Sequence, residues 1–199
     1  MNKVCVVAGV GPGNGAAFAR RFGAEGYSVA LLARSTTFSV KVASTVPDAR
    51  VYECDVADAA AVSRTFEASW RVNALGGFLA SKQVIPAMKR AGRGNIVFVG
   101  ATASRKGGPR SAAFSSAKGA QRNLAESMAR ALWPSGIHVA LIVVDGVVDL
   151  PRTRERMPDK PDSFFIKPDD VAEIGFRLTQ QRPSAWSFEV EARPYGETW

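Results

Sequence analysis

The chain has 199 residues, of which 46% are hydrophobic and 22% are charged, and it contains two cysteines. These values fit one globular domain with its own core, and they exclude a disordered chain and a disulfide scaffold. No apolar run approaches the ~18 residues that suggest a membrane span, and the low cysteine content favours a reducing, cytoplasmic setting. The net charge of +8 would suit a protein that binds nucleic acid, but the basic residues are scattered and follow no known nucleic-acid-binding motif.

The first half of the chain predicts strands that alternate with helices. Apolar strand patterns cover residues 4–8, 28–33 and 51–54, and a glycine cluster at 9–15 leads from the first strand into a helix at 16–25. Asp58 is a candidate cap for a helix that continues to Phe66. A longer helical pattern covers residues 70–90, and Pro86 inside it should kink or end that helix.

The second half continues the alternation. Residues 95–100 predict a strand, 111–132 a helix, and 137–144 an apolar strand that is buried on both faces. The polar, Pro-rich segment at 151–168 predicts a mobile loop, and a helix at 169–181 and a strand at 186–192 follow it. This order predicts a Rossmann-type, three-layer α/β fold with a mostly parallel sheet and helices on both faces. We expect one domain over residues 1–199.

The glycine cluster is the first candidate site. It runs Ala8-Gly9-Val10-Gly11-Pro12-Gly13-Asn14-Gly15, between the first strand and the first helix. Glycines are needed where the backbone turns sharply and where a pyrophosphate must approach bare N–H groups, and the helix N-terminus then favours the phosphate charge. A tight structural turn is the alternative. The position favours dinucleotide binding by Gly9, Gly11, Gly13, Asn14 and Gly15.

The spacing of these glycines resembles the cofactor turn of the short-chain dehydrogenase/reductase family. Three further motifs follow in the family's order: Asp55-Val56, similar to the acidic residue that contacts adenine; Asn73, on a helix similar to the one that bears a catalytic Asn; and Phe114-Ser115-Ser116-Ala117-Lys118, at the place of Tyr-x-x-x-Lys. The resemblance covers most of the chain up to Asp149. It implies an oxidoreductase that moves hydride between a nicotinamide and a carbonyl or alcohol of a small molecule. It also implies a homo-oligomer through the helices at 70–90 and 111–132.

The end of the second strand indicates which nicotinamide cofactor is used. An Asp or Glu at this place would hold the ribose 2′-hydroxyl of NAD, but the chain has Ala33 followed by Arg34. An arginine can meet a 2′-phosphate, so we predict NADP(H) in preference to NAD(H). A solvated loop arginine is the alternative for Arg34.

The catalytic group departs from the family pattern. The resemblance implies the set Asn73, Ser104, Phe114 and Lys118, in which Phe114 replaces the proton-transferring Tyr. Ala101 stands where the family commonly has its Ser, so a neighbouring hydroxyl such as that of Ser104 would have to serve. A Ser or Thr hydroxyl is a much poorer acid than a phenol. We therefore expect weak activity or none.

One strand of the family's fold has no counterpart in this sequence. The family has a fourth strand that ends in an Asn-Asn-Ala-Gly-like turn, and no such motif occurs here. The segment between Asp55 and Asn73 is too short for the ~30 residues of a βαβ unit. We expect a shortened version of a longer protein, with the seam near residues 66–70.

Three functions therefore remain as alternatives. The first is the NADP(H)-dependent oxidoreductase. The second is a non-catalytic relative that binds a dinucleotide or a protein. The third, which the scattered charge disfavours, is a basic module that binds nucleic acid and would show a steep salt dependence. No metal-ligand spacing is present, so no metal site is expected.

Overall fold

The computed structural model describes residues 3–33, 35–53, 64–109 and 111–197. The strands are β1 (Val4–Ala8), β2 (Ser28–Ala33), β3 (Ala49–Glu53), β4 (Gly94–Ala101), β5 (Ile137–Val144), β6 (Val147–Val148), β7 (Phe165–Ile166) and β8 (Glu189–Ala192). The α-helices are α1 (Asn14–Ala24), α2 (Thr36–Ala43), α3 (Arg64–Trp70), α4 (Gly76–Ala91), α5 (Ala112–Leu132), α6 (Pro151–Arg156) and α7 (Pro168–Thr179). No helix within these residues is both long and apolar enough to span a membrane.

The chain divides into two compact units. Unit 1 contains Met1–Asp55, Gly146–Phe176 and Arg193–Trp199, and unit 2 contains Val56–Asp145 and Arg177–Ala192. Each unit has a three-stranded sheet and a buried core of its own. A single domain over the whole chain stays a prediction.

Unit 1 is built on a parallel sheet with the order β1-β2-β3. Helix α1 presents Phe22 to the core, where its ring meets Tyr27 and Phe176 edge to face. The helix is followed by Gly26, whose φ of +74° is a left-handed conformation that favours glycine. Together these elements bury a continuous apolar cluster that includes Val29 and Leu31 of β2.

One face of β1 is not covered within the described residues. The side chains of Val4 and Val6 are 64% and 48% exposed, and β1 pairs only with β2. Parallel strands are normally buried on both faces because helices cover both sides of the sheet. Strand β1 therefore forms an edge of its sheet with an exposed apolar face.

Unit 2 is built on a second parallel sheet with the order β4-β5-β8. All eight residues of β5 are buried, which confirms the prediction from its nearly continuous apolar run. Helix α5 packs on β5 and contributes Ala125, Met128, Ala129 and Leu132 to the core. The lone histidine, His138, is a buried residue of β5 whose ring stacks on Trp186.

The proline in the long helix does not end it. Helix α4 continues through Pro86 to Ala91. Pro86 and Lys82, whose carbonyl loses its helical N–H partner, both lie on the exposed side of the helix, so water can satisfy that carbonyl. The lost hydrogen bond therefore costs the helix little stability.

The segment at 151–168 is not a structureless loop. It contains α6, a short 3-10 turn and β7, which pairs with β6. The guanidinium of Arg154 bonds to Asp149 at 2.6 Å and to Asp162 at 2.7 Å, and it lies over the ring of Phe165. These contacts join residues that are too far apart along the chain to appear in a local pattern.

Candidate active site

The glycine turn of unit 1 has the backbone geometry of a phosphate cradle. Gly9 has a φ of +91°, and its N–H donates to the carbonyl of Leu32 at 2.9 Å, which fixes the turn against β2. A Cβ added to Gly15 would lie 2.5 Å from the carbonyl oxygen of Gly9, so no side chain fits there. A Cβ at Gly11 would meet nothing within 4 Å, so the space over that backbone is open.

The start of α1 completes this cradle. Its first N–H groups have no partner within the helix and carry the positive end of the helix dipole. The Oδ1 of Asn14, the first residue of α1, is buried and has no hydrogen-bond partner among the described residues. A buried acceptor in that state suits a ligand that brings a hydroxyl or N–H donor. The turn therefore fits the pyrophosphate and sugar of a dinucleotide.

Three of the predicted cofactor residues lie outside the described residues. These are Arg34, Asp55 and Val56. Ala33 ends β2, so the strand has no acidic side chain at that residue. The role of Arg34 with a 2′-phosphate and the role of Asp55 with adenine stay predictions.

Asn73 lies in a π-helical turn, Arg71–Leu75, between α3 and α4. Its side-chain amide donates to the carbonyl of Ser69 at 2.9 Å, one turn earlier. Single π-turns inside helices are frequent at functional sites because they widen the helix and redirect side chains. The sequence predicted the helix and the residue, but it carried no signal for the π geometry.

Lys118 is held on α5 by two acceptors. Its Nζ donates to the carbonyl of Val99 on β4 at 2.9 Å and to Oε1 of Gln121 at 3.1 Å. Burial lowers the pKa of Lys118 to about 8. Phe114 lies one turn earlier, 43% exposed, with its ring centroid 5.9 Å from the Lys118 Nζ. The structure therefore brings Phe114 and Lys118 together, as the Tyr-x-x-x-Lys spacing predicts.

The hydroxyls near the end of β4 have different partners. Ser104 is buried, and its Oγ accepts a hydrogen bond from the N–H of Ala101 at 3.0 Å, which closes the short turn after the strand. The hydroxyl of Thr102 donates to the carboxylate of Asp145, directly after β5. Sequence reasoning missed Asp145, although an acidic residue at the carboxyl end of a buried strand was a signal that could have found it. A catalytic role for Ser104 stays a prediction.

Replacing Lys118 with Met should make the stability of the protein depend less on pH. The folded pKa of about 8 lies below the ~10.4 of a free lysine, so the unfolded chain binds more protons between these values. The stability of the wild type should therefore rise with pH across that window. Lys118→Met removes this dependence, so its stability relative to the wild type should be about 1–3 kcal/mol more favourable at pH 7 than at pH 10.5.

Urea unfolding at the two pH values measures this difference. Lys41→Met is the matched control, because Lys41 is exposed on α2 and its replacement should change stability little at either pH. A stability difference for Lys118→Met that does not depend on pH would contradict the burial of its charge.

A family model and two known relatives point to the same class of protein, the dehydrogenases. A family model described as short chain dehydrogenase matches residues 63–160. The 2-(R)-hydroxypropyl-CoM dehydrogenase of Xanthobacter autotrophicus (strain ATCC BAA-1158 / Py2) is 30% identical over 203 residues, covering 81% of this chain and 80% of that protein. The sorbitol-6-phosphate 2-dehydrogenase of Escherichia coli (strain K12) is 26% identical over 211 residues, covering 86% of this chain and 82% of that protein.

Solved structures confirm the predicted fold class. A metagenomic short-chain oxidoreductase in complex with NADP superposes with a TM-score of 0.81 at 24% identity, covering 98% of each chain. At that identity the likeness concerns the Rossmann-type α/β fold alone. The family-model match and the relative at 30% identity extend the assignment from the fold to the family. The chain belongs to the short-chain dehydrogenase family.

Proposed function

We propose that the protein is an NADP(H)-dependent oxidoreductase that acts on a carbonyl or alcohol group of a small molecule. The observation that carries this proposal is the glycine turn, where Gly15 excludes any side chain and Gly11 leaves its backbone open. In this account the turn binds the pyrophosphate. The resemblance to the family separately implies that Lys118 is a cofactor-binding residue. The bound nicotinamide supplies or accepts the hydride.

The preference for NADP(H) rests on the end of β2. Ala33 offers no carboxylate to a ribose 2′-hydroxyl, and Arg34 follows it with a charge that suits a 2′-phosphate. The metagenomic oxidoreductase of similar fold was solved with NADP, which agrees with this preference.

Fluorescence titration of the purified, folded chain with NADPH and with NADH tests the proposal. We expect micromolar binding of NADPH and binding of NADH that is weaker by about tenfold or more, the equivalent of about 1.4 kcal/mol. The exchange Arg34→Glu should reverse the order of the two affinities. A folded chain that binds neither nucleotide would contradict the proposal, and equal affinities would contradict the role of Arg34.

A non-catalytic relative that binds the dinucleotide is the second candidate. The exposed Phe114 and the methyl side chain of Ala101 favour it, since neither can move a proton. This candidate predicts the same NADPH binding as the first but no carbonyl reduction. The two candidate functions therefore differ in one measurable property, the turnover of a carbonyl substrate.

We further propose that the chain is a shortened version of a longer family member. The alignment with the Escherichia coli relative extends over 211 residues, more than the 199 of this chain, so the relative has residues without a counterpart here. Among the described residues, β1 pairs with β2 alone and β4 pairs with β5 alone, so each strand is an edge of its sheet. Both observations support the loss of a strand that the family places beside the first one.

We also propose a homo-oligomer formed through the helices at 70–90 and 111–132. Helix α4 and the end of α3 expose apolar side chains that an interface would cover: Trp70, Phe78 and Leu79, at 44–46% exposure. Exposed apolar groups of this kind commonly mark an interaction surface.

A further inference from the structure

We infer that a cleft at the amino end of the unit 2 sheet binds a small aromatic carboxylate. The cleft has a volume of about 490 Å³, and its walls come from three segments of unit 2: residues 92–95 at the start of β4, 133–136 before β5, and 179–186 before β8. Clefts of this size commonly hold small ligands. The inference goes beyond the proposed function and does not depend on it.

The cleft lies at the opposite edge of the sheet from Thr102 and Asp145. Gly94 and Ile137, the first residues of β4 and β5, are partners in the sheet, whereas Thr102 and Asp145 directly follow the last residues of these strands. Strands of this length separate the two edges by roughly 25 Å. A ligand in the cleft would therefore occupy a site of its own, away from the hydroxyls and carboxylate at the carboxyl ends.

Two tryptophans give the cleft an aromatic surface. The Nε1 of Trp133 donates to the carbonyl of Val139 at 3.1 Å, and the Nε1 of Trp186 donates to the carbonyl of Gln181 at 3.2 Å. Because both indole N–H groups already have acceptors, the indoles offer ring carbons to a ligand. The Trp186 ring is held by the ring of His138, which stacks on it at 4.9 Å with an interplanar angle of 5°. A flat apolar ring packs well on such a surface.

Arg93 gives the cleft a positive charge, and no acidic residue lines it. Its exposed guanidinium has no partner among the described residues. The described carboxylates of unit 2 all have other partners: Glu67 with Arg71, Glu126 with Arg122 and Arg130, Glu189 with Arg105 and Arg122, Glu191 with Arg105, and Asp145 with Thr102. A guanidinium presents a planar fork of N–H donors that matches a carboxylate. The cleft therefore favours an anion over a cation.

Asn95 offers a second polar contact in the cleft. Gln181 also lines the cleft, but its Oε1 accepts from the N–H of Ser187 at 2.8 Å and its Nε2 donates to the Ser187 hydroxyl at 3.0 Å. The amide of Asn95 has no partner among the described residues, so it can bond to a ligand. One guanidinium and one amide suit a single carboxylate, whereas the second charge of a phosphate would be unmatched. These groups therefore select a carboxylate on an aromatic ring rather than a nucleotide.

The test is an NMR titration of the full chain with indole-3-acetate as the probe. The chain has four tryptophans, whose indole N–H signals are observed after 15N labelling, and those of Trp133 and Trp186 are assigned with Trp133→Phe and Trp186→Phe. Indole-3-ethanol has the same ring without the carboxylate, and tryptamine has it with a positive charge. Arg93→Gln removes the guanidinium. Arg90→Gln is the matched control, because Arg90 is exposed in the last turn of α4 and does not line the cleft.

We expect indole-3-acetate to shift the signals of Trp133 and Trp186 with a Kd on the order of 1 mM or below, as befits a ligand of this size. The Kd should be the same with and without saturating NADPH. Indole-3-ethanol in place of the acid and Arg93→Gln should each weaken binding by about tenfold, because each removes one partner of a charge-assisted hydrogen bond. Tryptamine should bind no better than indole-3-ethanol. Arg90→Gln should change the Kd about twofold or less, since salt screens its charge.

Four results would overturn the inference: equal shifts of all four indole signals or of none, equal affinities for indole-3-acetate and tryptamine, an unchanged Kd in Arg93→Gln, or displacement of the acid by NADPH. Adenosine monophosphate is titrated as well, and tighter binding of it at the same two indoles would overturn the assignment to a carboxylate. The ligand comparisons use the wild type, so they decide the matter even where a variant does not fold. A failure to bind NADPH would overturn the proposed function and leave this inference standing.

Discussion

Phe114→Tyr should raise the rate of carbonyl reduction by about 100-fold, because it supplies the phenol that this chain lacks. Phe114 is 43% exposed, so the added hydroxyl has room and should cost little stability. The positive charge of Lys118, whose Nζ is 5.9 Å from the ring centroid, should lower the pKa of the new phenol and make it a better acid. Steady-state NADPH oxidation with a carbonyl panel, a set of aldehydes and ketones that includes 4-nitroacetophenone, measures the effect.

The control for this exchange places a phenol elsewhere. Phe66 on α3 is 55% exposed and lies outside the helices of the proposed interface, so Phe66→Tyr adds the same atom to an accessible ring. We expect no change in rate for it. If Phe114→Tyr were also without effect in a chain that binds NADPH, then Phe114 would not lie where the proton is transferred, and the non-catalytic alternative would gain.

Gly15→Ala should abolish NADPH binding, with a loss of affinity of about 100-fold or more, the equivalent of about 2.7 kcal/mol. The added methyl would lie 2.5 Å from the carbonyl oxygen of Gly9 and 3.0 Å from the Cα of Val10. Both are backbone atoms, so the whole turn must shift. Because the first turn of α1 would shift with it, the N–H groups that we propose for the pyrophosphate would no longer converge. Isothermal titration calorimetry measures the loss.

Substitutions at two other glycines distinguish an effect on folding from an effect on NADPH binding. In Gly11→Ala the added methyl would meet nothing within 4 Å, so the melting temperature should equal that of the wild type. The NADPH affinity should fall, because the methyl would occupy the space proposed for the ligand. Gly107→Ala also meets nothing, lies outside the glycine turn, and should change neither property. Full NADPH affinity in Gly15→Ala would show that the pyrophosphate binds elsewhere.

Local patterns predicted the elements that depend on local chemistry. The strand over Ser28–Ala33 matches the predicted bounds, and so does the fully buried strand over Ile137–Val144, because an apolar run between turn residues has few alternative conformations. The spacing of Phe114 and Lys118 likewise predicted their approach, since residues four apart meet on one face of a helix.

Contacts between distant residues account for what the sequence did not predict. The segment at 151–168 has no periodic apolar pattern, yet it folds around Arg154, which bonds to Asp149 and Asp162. The bond between Thr102 and Asp145 joins the ends of two strands that are neighbours only in the sheet. Neither pairing can be read from spacing along the chain.

The pKa of Lys118 was unpredictable for the same reason. Its low value results from burial by several elements that meet only in the fold, and a single sequence does not specify that burial. The family pattern supplied the residue, and the structure supplied its burial and its low pKa.

Deuterium transfer is the most direct measurement of whether this protein is an oxidoreductase. The full chain is incubated with the carbonyl panel and with NADPH that carries deuterium at C4 of the nicotinamide ring, and the alcohol products are examined by mass spectrometry. We expect one deuterium on the carbinol carbon of the product. Tight NADPH binding without any labelled alcohol would contradict this expectation and would establish the chain as a dinucleotide-binding relative without catalysis.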